Sequence, residues 1–347
     1  MFIVREARPD DLTQLAQIAV HLNTVNLPAD EVVLADLIRR SVRSFANADL
    51  QDKTGHFLFV LEELATQRVA GVSMIISSHG TVEDPHHYLL VDVDERHSPA
   101  VGKVFRHQTL QFRRSLTPHT EIGALILSPE FRGHPSKLGK LLSFARFQFI
   151  AANPDRFQDS VQAELLPPFG DDGSSLLWEW LGRRFTDLDY DEADRLSSSD
   201  HEFVRDLFPR APIYTAVMPR DVQEVIGAIG KPTLGVAAML KRIGFRYNQH
   251  IDPFDGGPHF ECRTEEISIV ADTQTRIASS EPCALDEPLA LIGRRRREDH
   301  PFRCTIVSHR IAEGRVQLPD ATRTALDIAP GELVMVTPLL PSLKRSA

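Results

Sequence analysis

The segment TEIGALILSPEFRGHPSKLGKLLSFARFQFIA, Thr120–Ala151, constrains the fold more than any other part of the chain. Ile122–Leu127 is a largely apolar run that stops at Pro129, and a run of that length ended by a breaker reads as a buried strand. A loop carrying Arg132, Gly133 and Gly139 follows, after which Leu141, Leu142, Ala145, Phe149 and Ile150 recur at helical spacing. A strand that passes through such a loop into a helix leaves free backbone N–H groups at the helix start. An anion is favoured there by hydrogen bonding and by the helix dipole. Lys137 and Lys140 add positive charge at the same place. A second strand, SVQAELL (Ser160–Leu166), fits beside the first, so the order strand, helix, strand predicts an α/β fold with a mixed sheet.

The flanking sequence extends this pattern. FIVREA (Phe2–Ala7) reads as a strand, and Pro9, Asp10 and Asp11 open a helix with Leu12, Leu15, Ile18, Ala19 and Leu22 on one face. A second helix runs through Leu34, Leu37, Ile38 and Val42; strands follow at His56–Glu63, Val69–Ser78, HYLLVDV and KVFRHQTLQF. Beyond Leu166, helices are predicted at Leu176–Arg184, in PRDVQEVIGAIG and in LGVAAMLKRIGF, the last stopped by Gly244. RYNQHI and HFECRTEEISIV then alternate polar and apolar residues around the Asp-Gly-Gly-Pro corner of HIDPFDGGPHFEC, His250–Cys262. That is a hairpin signal, because glycine accepts positive φ without steric cost.

A chain of 347 residues has room for about two units. The sequence divides into a main domain at 1–278, a linker at 279–307 and a small β module at 308–347. The linker begins SSEPCALDEP and contains the basic run GRRRRED, Gly293–Asp299, which reads as solvated. In the module, RVQL meets Pro319, a short helix holds Arg323 and Leu326, and PGE turns into LVMVTPL. This resembles half of an AbrB-type swapped hairpin. A net charge of −9 leaves no basic excess to neutralise phosphates, so nucleic acid is not the expected partner. Cys262, Cys283 and Cys304 are widely spaced and odd in number, which suggests neither a disulfide framework nor a metal site. No apolar signal core and no apolar run of about 18 residues is found, so a cytoplasmic protein without a membrane segment is expected.

Leu125–Ile150 resembles the acyl-CoA-binding motif of GNAT-type acyltransferases, in which a bulged strand pairs with the pantetheine arm and an Arg/Gln-x-x-Gly-x-Gly/Ala loop cradles the pyrophosphate. RGHPSKLGKLL holds Arg132, Gly133 and Gly139, with two more residues from Arg132 to Gly139 than the motif has. A more specific resemblance, from Phe2 to Cys262, is to the arginine N-succinyltransferase family. It is carried in order by NLPAD, FLFVLEE, LILSPEFR, RFQFIAANPDRF, LWEWLGRRFTDLDY, LFPRAPIY, QEVIGAIGKPT, MLKRIGFRY and IDPFDGGPHFEC. The C-terminal module reads as an addition relative to shorter members.

The resemblance implies a GNAT-like fold and transfer of a succinyl group from succinyl-CoA to the α-amino group of L-arginine or ornithine. Succinyl-CoA is then a co-substrate, with no permanently bound cofactor and no metal, and the chain works in a homo- or hetero-oligomer. It assigns Leu125 and Leu127 to the acyl-CoA strand, and Arg132, Gly133, Gly139 and Lys140 to the phosphate loop. A distal carboxylate on the acyl group calls for a cation, and Arg132, Arg183 and Arg184 are available. A guanidinium acceptor calls for carboxylates; Asp252 and Asp255, with Asp171 and Asp172, are the candidates. The family's proton-donor histidine, in VIG-x-x-His-Pro, falls on Gly230 of VIGAIGKPT. Three readings stay open: Tyr214, His250 or His259 donates instead; water protonates the thiolate; or the chain is a non-catalytic or altered-specificity paralogue or subunit.

Overall fold

The structure, a computed structural model, describes residues 1–20, 27, 29–197, 202–296 and 301–339. In chain order the first strands are β1 (Phe2–Glu6), β2 (His56–Glu63), β3 (Arg68–His79), β4 (His86–Ser98), β5 (Lys103–Ser115) and β6 (His119–Leu127). Next come β7 (Ser160–Glu164), β8 (Ile213–Tyr214), β9 (Arg246–Ile251) and β10 (Pro258–Arg263). The last are β11 (Gln274–Ala278), β12 (Leu289–Arg294), β13 (Arg303–Ser308), β14 (Arg310–Ala312), β15 (Arg315–Gln317) and β16 (Leu333–Pro338). By contact the chain divides into two compact units. One is Met1–Ser77, Ile122–Asp159 and Thr264–Ala347; the other is Ser78–Glu121 and Ser160–Arg263. β3 and β6 each cross the division, with His79 and His119–Glu121 in the second unit.

In the first unit, β1 pairs antiparallel with β2 and β13, and β2 pairs with β3. α1 (Leu12–Ala19) and α2 (Glu31–Ala46) place Leu15, Ile18, Leu34 and Ile38 against Leu58, Val60, Val72, Ala124 and Ile126. Asp30 starts α2 by accepting from the Val32 and Val33 N–H groups. Leu22 of the expected α1 face lies outside the described residues. α3 (Leu138–Ala152) is apolar on almost every side and correspondingly buried. Its Phe149 meets Phe45, Phe57, Phe59 and Phe302 at ring distances of 5.0–5.4 Å.

The C-terminal segments differ from the sequence reading. β12 lies between β13 and β16, and β16 lies between β11 and β12. Val316, Leu318, Leu326, Val334 and Val336 share one core with Ile3, Ala278, Ala290 and Ile292. Among the described residues, β12 and β13 lie within the stretch expected as a linker, and 308–339 shares a core with β1, β11 and β12. The physical reason is that β15 and β16 are short strands, and β16 finds a partner on each edge within the chain itself. The basic run is not simply solvated either. Arg294 donates to Asp327, Arg295 donates to the Ala152 carbonyl, and Arg296 pairs with Glu6 at 3.0 Å. Arg297, Glu298 and Asp299 lie outside the described residues.

In the second unit β4 and β5 form a long hairpin, β8 adds to β5, β9 lies between β4 and β10, and β10 pairs with β7. Leu89, Val91, Leu110, Trp178, Phe208, Val222, Ile251 and Phe254 form its core. The helix expected over PRDVQEVIGAIG is only Arg220–Val225, because Gly227 turns to φ 66 and ends it. The Asp-Gly-Gly-Pro corner joins β9 to β10. Gly256 sits at φ 83, and a Cβ on Gly257 would meet the Leu165 carbonyl at 2.3 Å, so neither position accepts another residue without strain.

Candidate active site

The elements expected to bind acyl-CoA belong to the first unit. Along β6, Ala124 and Ile126 point into the core while Leu125 and Leu127 alternate to the half-exposed face. Ala124 has φ 49, a local break in the strand at the place where the resemblance calls for a bulge. Arg146 of α3 is fully buried beneath it, donating to the Gly123 carbonyl at 3.3 Å and to Ser143 Oγ at 3.0 Å. Burial pushes its guanidinium down to about 9. Arg146 thus fixes the backbone next to the bulge, a contribution hidden in the apolar FARFQF pattern.

The loop from Leu127 to α3 keeps the helix start open. Lys137, the N-cap residue, is in the left-handed region at φ 52 and makes no side-chain cap hydrogen bond, and no acidic residue occupies the first turn. Gly133 has φ 72 with nothing within 4 Å of a built Cβ, and a Cβ on Gly139 would have only Leu127 Cδ1, at 3.6 Å, beside it. Packing alone therefore does not demand glycine at 139. Arg132 is exposed and donates to the Leu127 carbonyl at 3.2 Å. Lys140 lies half-buried with its ammonium 5.2 Å from the Phe144 ring centre. Arg132, Gly133, Gly139 and Lys140 are thus gathered at one helix N-terminus, able to receive a phosphate through backbone donors and two cations.

The carboxylates expected for the guanidinium lie in the second unit, at the hairpin corner. Asp252 Oδ1 accepts from the N–H groups of Phe254 and Asp255 at 2.7 and 2.9 Å, and Asp255 Oδ1 accepts from Gly257 N–H at 2.6 Å. Both cap the turn, yet burial raises both, and their mutual proximity adds to the rise at Asp255. Burial next to Asp252 and Asp191 also brings Asp194 up to about 7. No cation counters these shifts among the described residues. Asp172 caps Ser174 in an exposed turn. Arg183 pairs with Glu179 and Arg184 lies over Trp180, so neither is a spare cation.

At Gly230 the backbone explains why no histidine stands there. A Cβ would lie 2.5 Å from the Pro167 carbonyl and 2.9 Å from that of Leu166, and the Gly230 N–H donates to Leu166 O at 2.8 Å. The remaining donor candidates are not in one place. Tyr214 pairs with Thr109 at the β5 edge; its hydroxyl donates to Asp94 and accepts from Arg96 at 3.1 Å. His250 pairs with Leu90 on β4, four residues before Asp94, about 13 Å along a strand. The β9 bulge, with Gln249 at φ 67, turns His250 so that its ring stacks on Tyr88 at 3.8 Å and lies 6.4 Å from His259. Burial lowers His250, leaving it neutral near pH 7.

His259 is fully buried and belongs to a group that the sequence reading did not foresee. His79, His86, His119, Glu121 and Glu164 gather around it from β3, β4, β6 and β7. His79 pairs with Glu121, which raises it to about 9 and lowers Glu121 to about 2.

An uncapped helix start, fed by a strand broken at Ala124 through a glycine loop, is the arrangement an acyl-CoA N-acyltransferase of the GNAT type requires. The arginine N-succinyltransferase beta subunit family matches residues 2–269. Arginine N-succinyltransferases of Shigella boydii serotype 18 and Escherichia coli O6:K15:H31 are each 32% identical over 98% of this chain and 98% of their own length. The structure of arginine/ornithine succinyltransferase subunit AI from Pseudomonas aeruginosa superposes with a TM-score of 0.84 at 26% identity, covering 97% of this chain and 98% of that one. The chain belongs to the arginine N-succinyltransferase family. The C-terminal segment is not an addition relative to the Shigella and Escherichia proteins, which match along it.

Proposed function

We propose that the chain transfers the succinyl group of succinyl-CoA to the α-amino group of L-arginine, releasing CoA and N2-succinylarginine. The observation that carries this reading is membership of the family together with the open start of α3 below the bulged β6. β6 carries Leu125 and Leu127 for the pantetheine and thioester. The N–H groups at Leu138 and Gly139, with Arg132 and Lys140, take the pyrophosphate.

At the acceptor, Asp252, Asp255 and Asp194 receive the guanidinium. Buried carboxylates without a cation are stabilised by one that arrives with the substrate. Attack on the thioester needs a neutral amine. His250, neutral and half-buried two residues before Asp252, accepts the proton; it serves as base rather than as the family's acid. The departing thiolate, with an ordinary pKa near ~8.5, takes its proton from water. Transfer without a histidine at 230 rests mainly on holding the reactants together. The family is that of a beta subunit and the Pseudomonas protein is subunit AI of its enzyme, in keeping with an oligomer of like or unlike chains. A cytoplasmic setting fits three free cysteines, and no helix among the described residues is long and apolar enough to cross a membrane.

The test is product identification. Purified protein with succinyl-CoA and L-arginine should yield a product whose fragmentation places the succinyl group on the α-nitrogen. Acylation of ornithine alone, or of no amine, would overturn the assignment.

A further inference from the structure

We propose that His86, Glu164 and His259 in the second unit form a binding site for one divalent cation of the zinc class. The proposal is independent of acyl transfer and runs against the expectation of no metal drawn from the cysteine pattern.

The three side chains come from different strands, β4, β7 and β10, and one ligand atom from each lies within 4.8 Å of the others. His86 Nδ1 is 4.0 Å and His259 Nε2 is 3.5 Å from Glu164 Oε1. Donors around a tetrahedral zinc stand somewhat closer than this, since Zn–N and Zn–O bonds are about 2.0–2.2 Å. Inward movement of the side chains closes the site. Two imidazoles and a carboxylate are a donor set that zinc accepts, with a fourth position left over.

The independent observation is polar dissatisfaction. His259 has no exposed surface, and neither ring nitrogen finds a hydrogen-bond partner among the described residues. A buried imidazole left in that state is unfavourable, and a cation placed between Nε2 and Glu164 satisfies that nitrogen. Glu164 has been drawn into the same interior beside Glu121 and Asp252 with little positive charge to meet it.

The surroundings suit a metal as well. Gln162 Nε2 lies 3.2 Å from His86 Nε2. The same amide nitrogen lies 3.4 Å from Glu164 Oε1, so this one amide links His86 to Glu164 and holds both side chains in place. His119 stands 4.9 Å from His86, ring centre to ring centre, with its own Nε2 unpartnered. Glu164 retains 29% side-chain exposure, which provides an entry path. His79, already paired with Glu121, stays out of the ligand set.

The test uses the full-length protein, stripped with a chelator and titrated with Zn²⁺ against a chromogenic competitor. One Zn²⁺ per chain should bind. The stoichiometric binding should weaken at least about a hundredfold in His259→Gln and in His86→Gln, since loss of a supporting contact alone costs 10–100-fold. No stoichiometric binding, or variants that bind as the parent does, would overturn the proposal. Should the variants fail to fold, X-ray absorption of the zinc-loaded parent decides. A first shell of nitrogen and oxygen at about 2.0–2.2 Å with two imidazoles supports the site. Sulfur at about 2.3 Å, or fewer than two imidazoles, refutes it.

Discussion

Leu326 tests whether the C-terminal segment belongs to the core of the first unit. It is 0% exposed and packs in one cluster with Ile3, Ala278, Ile292 and Val334. Leu326→Ala removes the transfer energy of the lost methyl groups and leaves a cavity, about 3–5 kcal/mol for a fully enclosed leucine. If the tail and β1 share one cooperative core, that loss appears throughout the first unit. Amides of α3, whose Gln148 donates to Leu291 O and Thr337 Oγ1 at 2.9 Å each, should exchange faster by about a hundredfold or more where they open with the whole unit. Hydrogen–deuterium exchange with peptide resolution, on parent and variant at the same pH, makes the comparison. Protection lost only within 308–339, with α3 and β1 unchanged, would refute the reasoning and restore the tail as a module of its own. For the same reason, deletion of 308–347 should give an insoluble or unfolded first unit, not a trimmed active enzyme.

Gly139→Ala should leave the melting temperature nearly unchanged, because the added Cβ meets only Leu127 at 3.6 Å. It should weaken CoA binding by roughly tenfold or more, the cost of one charge-assisted hydrogen bond, as calorimetry will show. Gly230→His should destabilise the fold by about 1–3 kcal/mol, since its Cβ would collide with the Pro167 carbonyl at 2.5 Å; chemical denaturation checks this, and turnover should not rise. Asp194 is held up to about 7 in the folded chain against an ordinary 3.8. Its contribution to stability is therefore present below the ordinary value and lost as pH rises through about 7. A guanidinium favours the ionised form, so an arginine analogue lacking the α-amino group should bind about tenfold tighter at pH 8 than at pH 6. A flat profile would remove Asp194 from the acceptor site.

What could be read from the sequence follows from the range of the interactions. The path β6, loop, α3 is local: the apolar run, Pro129, the glycines and the helical repeat lie within 32 residues, and the structure has the same elements with a break at Ala124. The Asp-Gly-Gly-Pro corner was legible for the same reason. The pairing of β16 between β11 and β12 was not, because nothing local in LVMVTPL says which strands will flank it. The histidine group was invisible on the same grounds. His79, His86, His119 and His259 follow no ligand spacing and meet only through the order of strands β7, β10, β9 and β4. Gly230 was legible as a departure from the family, but its cause, the carbonyls of Leu166 and Pro167, is tertiary. Asp252 and Asp255 were expected as substrate ligands, and their turn-capping bonds appear only once the corner is built.

The central claim is acyl transfer without a histidine at position 230, and thiol release by the unmodified protein tests it most directly. With succinyl-CoA and L-arginine, free CoA should appear catalytically, faster than with acetyl-CoA or with lysine as acceptor. His250→Ala should lower the rate most at neutral pH and recover part of it as the pH rises and the free amine becomes abundant. A protein that binds succinyl-CoA yet releases no thiol with any amine would contradict the account and leave the chain a non-catalytic member of its family.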